Sequence, residues 1–295
     1  MTVQEPVLEG ERQRNEDLEG RASSYNALYE HWERHQWNAA ALDLGVDARS
    51  FRALSPDERE SLIWIFAHRF HAEFNVARLL APFLMAAPSW EMELLLATQT
   101  ADEHRHLQLV LRIYEAVFGI GGGIDGVREV ADRNLDVVAE TLYAGLEDYV
   151  ARLRADPHPD RFLQAVVVYH LLGEGVVART AQNLAAPMYE RFGEFPGLQR
   201  GQRLVARDEA RHIGIGVSYC REAMSREPRR TRELVGAVID EFSEVAGELL
   251  GKADDEMGDL VRGGYGVEPA GFYAEGMRLL DLRLRAIGFL PEPTP

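Results

Sequence analysis

The chain has 295 residues, 46% of them hydrophobic, with a formal net charge of −16, which is length and apolar content enough for one large core. The acidic balance repels phosphate backbones and anionic lipid, so nucleic acid is set aside as a partner and solubility is expected. Cys220 is the single cysteine; neither an internal disulfide nor a thiolate cluster can form, and a reducing, cytoplasmic setting is expected.

The opening MTVQEPVLEGERQRNED is acidic and has no apolar h-region, so no export signal is read and residues 1–20 are expected to be disordered. Stretches rich in Ala, Leu, Glu and Arg, with apolar residues three or four apart, recur throughout and give an all-α fold class. Ser55-Pro56-Asp57-Glu58 reads as the start of a helix that carries Glu73 and closes before Pro88. After Ser89 a second helix runs through Glu103 and His106 to Phe118, where Gly119-Ile120-Gly121-Gly122-Gly123 stops it. A third stretch covers about Val127 to Leu153. A fourth runs from about Arg161 to Phe192, bears Glu174, and is expected to kink or break near Pro187. Its most apolar run, Phe162 to Leu172, is too short to span a bilayer, so no membrane insertion is expected. Another helix runs from about Gly197 to Met224 with Glu209 and His212; two more, about Thr231 to Lys252 and Pro269 to Ile287, are expected to pack outside. The PEPTP ending is expected to fray.

At about 100° per residue, a Glu and a His three apart lie about 60° from each other, so both can reach a metal beside their helix. Glu103 with His106 and Glu209 with His212 have this spacing. A single Glu-x-x-His is weak evidence, because such residues pair by chance; two on separate helices are stronger. Glu174 lies in the apolar run Val166 to Val177, where a carboxylate without a positive partner is costly. Glu73 stands near Arg69 and Arg78, either of which could pair with it. Four carboxylates and two imidazoles from four helices are the donor set of di-iron and di-manganese bundles. Four Glu balance two divalent cations, and oxygen ligands with one imidazole per metal suit iron or manganese better than copper. The fold expected is therefore a ferritin-like four-helix bundle with flanking helices, a single domain over residues 1–295, with metal ligands Glu73, Glu103, His106, Glu174, Glu209 and His212. His104, His31, His35 and His158 are read as outside the site, whereas His71 and His170 lie near proposed ligands.

These residues resemble the small-subunit family of ribonucleotide reductase, and more closely its relatives, the ligand-binding oxidases. Arg207-Asp208-Glu209-Ala210-Arg211-His212 is similar to the last metal-binding helix of that family, and Trp37-Asn38 with Leu42-Asp43-Leu44 to the stretch before its first ligand helix. Pro82 matches a proline of that helix. The radical tyrosine of the reductase branch is replaced by Val110, and the tail Gly288 to Pro295 lacks the redox-active tyrosine that docks the large subunit, so reductase activity is not expected.

The ligand-binding oxidase resemblance extends to Val76, three after Glu73, and Tyr169, five before Glu174, the pair that in those oxidases becomes joined by an ether bond. Five residues of α-helix leave about 140° between Tyr169 and Glu174, so a bend or π-bulge is required for them to share a face. The resemblance implies a homodimeric oxidase that activates dioxygen at a manganese and iron pair or at two irons, with a long-chain fatty acid as pocket ligand and Asp208 orienting His106. The alternatives are a dimetal N-oxygenase, against which Val205 stands in place of a third histidine, a reductase small-subunit-like protein, and an iron-binding or storage bundle.

Overall fold

The computed structural model describes residues 5–134, 137–251 and 255–291, and every regular element among them is helical. Three short helices come first: α1 (Glu5–Glu19), α2 (Tyr25–Arg34) and α3 (Gly45–Ala53). The residues from Glu5 to Glu19 are thus helical, contrary to the disorder expected of the first 20; residues 1–4 lie outside the described residues. The polar composition misleads because the end of α1 is anchored by buried charge as well as by Leu18 against the core. Glu19 is fully buried and pairs with Arg179 and with Arg283.

The bundle begins with α4 (Pro56–Met85). Ser55 and Glu58 form a reciprocal capping box and Pro56 occupies the first turn, as their order in the sequence predicts. The helix α5 (Trp90–Ile113) is capped by Ser89 and widens into a π turn over Tyr114–Phe118, which ends at Gly119 in the left-handed region, φ 73°. The predicted helix from Val127 to Leu153 is in fact two, α6 (Gly123–Asp132) and α7 (Val137–Ala155). At the end of α6 the Asn134 side chain bonds the Val130 carbonyl, a local alternative to continued helix.

Next comes α8 (Pro159–Asn183), whose central stretch Val167–Ala178 is a π-helix. By length and composition α8 could cross a membrane, but 72% of its apolar window is buried inside the protein. It ends at Asn183 and a separate α9 (Ala185–Phe192) follows, so the helix breaks a few residues before Pro187, close to the expected place. The chain continues as α10 (Pro196–Arg226), α11 (Pro228–Gly251), α12 (Asp255–Tyr265) and α13 (Pro269–Ala286). The helices α4, α5, α8 and α10 carry the six predicted ligands.

The last helix is more than a flank. It packs on the π stretch of α8, with Leu279 and Arg283 buried. Widened turns displace backbone carbonyls, and Arg283 Nε donates to one of them, Gly175 O, at 3.1 Å. A Cβ at Gly175 would meet that Nε at 3.0 Å, so a side chain there would push the arginine away. The final PTP-containing residues 292–295 lie outside the described residues. Since Glu19 neutralises two buried guanidinium groups, Glu19→Ala should cost about 3–5 kcal/mol. Urea unfolding checks this; a loss below about 1 kcal/mol, the value of an exposed pair, contradicts it.

Candidate metal centre

The four long helices bring the predicted ligands to one point. Ligand atoms of Glu73, Glu103, His106 and Glu209 lie within 4.8 Å of one another, and so do those of Glu103, Glu174, Glu209 and His212. Glu103 and Glu209 belong to both groups, so the arrangement is two adjacent four-ligand positions sharing two carboxylates. All six residues are buried.

One atom of each is buried without a hydrogen-bond partner: Oε2 of Glu73, Glu103, Glu174 and Glu209, and Nδ1 of His106 and His212. Six such atoms converging in a core would each be costly, of order 1–3 kcal/mol, unless something binds them. The imidazoles are oriented for that purpose. His106 Nε2 lies 3.2 Å from Asp208 Oδ2, and His212 Nε2 lies 3.2 Å from Asp102 Oδ2. With Nε2–H donating outward, each Nδ1 points inward toward carboxylates 3.2–3.8 Å away, where the neutral ring would offer its lone pair to a cation. Two divalent cations fit this donor set in charge and in ligand type, oxygen-rich with one imidazole per position.

The electrostatics of the metal-free chain say the same. Burial raises the Glu73 carboxyl to about 7. Burial and the neighbouring Glu209 raise Glu174 well above the carboxylate range. Burial opposes charge on His106 and His212 as well, but the surrounding carboxylates outweigh it and raise both rings well above their ordinary value. The metal-free site therefore holds protons at neutral pH that metal must displace, so metal affinity falls as pH drops.

Around this centre lies a second tier, partly missed in the sequence. Asp208 accepts from Trp37 Nε1 at 2.7 Å, and Asp102 accepts from Trp32 Nε1 at 2.9 Å and Arg211 Nη2 at 2.8 Å. Arg105 touches both aspartates and stacks over the Trp37 ring, 5.0 Å from its centroid. Asp208 was legible; Asp102, Trp32, Arg105, Arg211 and Gln99 were not. The signal existed for Asp102, since Asp102-Glu103 repeats Asp208-Glu209 at the same distance from a histidine.

Tyr169 and Val76 also come together. The Tyr169 hydroxyl lies 3.3 Å from the Val76 carbonyl oxygen, and the π-helix supplies the bend that the spacing required, because residues five apart stack in i→i+5 turns. Burial and four nearby glutamates keep the phenol protonated. A cavity of about 210 Å³ opens beside them, walled by apolar side chains including Ile65, Val76, Leu146 and Phe242, and bordered by Glu73, Glu174 and Glu209. His68 lines the cavity, and five other histidines fall outside the site: His104 and His158 are exposed, His31 stacks on His35, and His71 lies 3.4 Å from Asp132. His170 reaches the ligands through Gln99.

No protein-family model matches the chain. Among solved structures, a Tyr-to-Phe variant of an R2-like ligand-binding oxidase with an aerobically reconstituted Mn/Fe cofactor superposes with a TM-score of 0.78 at 24% identity, over 91% of this chain and 94% of that one. A Val-to-Ala variant with an anaerobically reconstituted Mn/Fe cofactor gives the same values. An R2-like ligand-binding oxidase after photoconversion matches at 0.78 and 23% identity, over 91% and 94%. The likeness shows a common helical fold.

The mirrored Asp–His pairs make a specific prediction. Asp102→Asn and Asp208→Asn should each weaken metal binding about 10–100-fold, as loss of an acceptor behind a metal-bound His does. Competition with a chromophoric chelator measures this; an effect of Asp208→Asn alone contradicts the mirrored reading.

Proposed function

We propose that this chain is an oxygen-dependent dimetal oxidoreductase of the ligand-binding oxidase type, working on manganese and iron together or on two irons. The observation that carries the proposal is the convergence of six buried donors, each with an unpartnered atom facing the others. Glu73, His106, Glu174 and His212 are the terminal ligands in this reading, and Glu103 and Glu209 the shared ones. Bound there, the metals would supply electrons to dioxygen and an oxidising equivalent to a nearby C–H bond.

The chain's own part is to hold and to exclude. Asp102 and Asp208 fix the imidazoles, and the apolar wall of the cavity keeps bulk water from the reacting bond. A long-chain fatty acid is the proposed occupant, its carboxylate toward the metals and its tail along Ile65, Leu146 and Phe242, which the cavity's apolar lining supports. Homodimeric assembly, a cytoplasmic setting and a single domain over the whole chain belong to the same proposal. A buried free thiol at Cys220 is compatible with a reducing compartment.

The proposal includes an ether bond between the Tyr169 hydroxyl oxygen and the β-carbon of Val76. The phenol loses its O–H hydrogen and the valine its C–H hydrogen; the two electrons and two protons pass to dioxygen, and one C–O bond forms. The Tyr169 hydroxyl lies 3.3 Å from the Val76 carbonyl oxygen, which supports it by placing the phenol oxygen beside the residue it would be joined to. After metal loading in air, tryptic digestion should yield one branched peptide about 2 Da lighter than its two linear parts, on the stoichiometry of this oxidation. Tyr169→Phe should abolish it with both metals retained. Full recovery of both linear peptides from loaded, oxygen-treated protein contradicts the cross-link.

A further inference from the structure

The two groups of four ligands have the same composition: two shared glutamates, one terminal glutamate and one histidine. Their terminal glutamates have different neighbours. Gln99 Nε2 donates to Glu174 Oε1 at 2.9 Å and lies 3.5 Å from Glu103 Oε1. The other end of the amide, Gln99 Oε1, is 3.0 Å from His170 Nε2. Ionised carboxylates only accept, so the amide NH2 is assigned to their side, and Gln99 Oε1 is left to accept from His170 Nε2–H. Burial pushes the His170 ring down to about 3, which keeps it neutral.

The position of His170 is itself set by packing. A Cβ at Gly216 on α10 would lie 2.4 Å from the His170 Cβ, so glycine is what lets the two helices approach there. The other terminal ligand has no such support. Among the described residues no side-chain hydrogen bond to Glu73 is found; the His106 ring stands beside it, with Nδ1 3.4 Å from Oε2.

We propose that the Gln99–His170 pair makes the two metal positions unequal, by engaging one oxygen of Glu174 while both oxygens of Glu73 stay available to an ion, and so sorts manganese from iron between them. This rests on the dimetal reading above. A carboxylate oxygen tied to an N–H is a weaker donor to a cation, so an ion beside Glu174 leans more on the His212 imidazole, which favours iron. The position with two unrestrained Glu73 oxygens is richer in hard donors and accommodates manganese. Gln99 and His170 are positioning residues, acting through Glu174.

The test loads the full-length protein anaerobically with equal manganese and iron, then reads the Mn:Fe ratio at each position by element-specific anomalous diffraction. The wild-type positions should differ in ratio by about fivefold or more, as one net hydrogen bond gives. Gln99→Leu should bring them within about twofold, and His170→Phe should move them the same way. Because His170 acts through Gln99, adding His170→Phe to Gln99→Leu should change nothing further. Gln99→Met, of similar length and without a hydrogen-bond donor, replaces the leucine variant if that one does not fold. Equal ratios at the two wild-type positions overturn the inference, as does a Gln99 variant that keeps the wild-type partition or loses total metal without changing it. A wild-type chain that takes up no metal overturns this inference and the dimetal reading together.

Discussion

Four glutamates buried at one point of a helical bundle set the terms for the rest of this structure. In a medium of low polarizability such carboxylates repel one another and take up protons, as Glu73 and Glu174 do in the metal-free chain. Two divalent cations remove both penalties at once. The surrounding features serve that arrangement: helix α5 and helix α10 supply a shared glutamate and a histidine each, and α4 and α8 close the two ends with one glutamate apiece.

A near-symmetry runs through the site and is broken between α4 and α8. Helices α5 and α10 carry the same Asp-Glu-x-x-His order, and each histidine is held by the aspartate of the opposite helix. Arg105, in contact with both aspartates, ties the two halves. Helix α4 is regular through Glu73, whereas α8 is a π-helix through Glu174. The wider turns bring Tyr169 onto the side of Val76 and leave the Gly175 carbonyl to accept from Arg283. The π stretch also carries Gly173 and Gly175, whose low helix propensity of about 1 kcal/mol each makes regular α-helix less favoured there.

The bundle and the convergence of its candidate ligands were legible because they follow from local rules. Helix starts such as Ser55-Pro56 and stops such as the glycine run after Phe118 act within a few residues, and a Glu-x-x-His spacing puts both side chains on one face wherever the helix goes. What could not be read depends on partners distant in sequence. The order of α1 rests on Glu19 meeting Arg179 and Arg283, residues 160 and 264 positions away. Gln99 looks like any polar residue in Leu95-Leu96-Ala97-Thr98-Gln99 until α8 sets His170 and Glu174 beside it. At the end of α6 the Asn134 side chain bonds the Val130 carbonyl, a local preference too small for composition to reveal.

The measurement closest to the central claim is the metal content of purified chain supplied with excess iron and manganese without oxygen, compared with Glu174→Ala. About two metals per wild-type chain, with a marked loss in the variant, is the result expected of a charge-compensated dimetal centre. Less than about one metal per wild-type chain, or a variant that binds as many as the wild type, would show that these six residues do not form it.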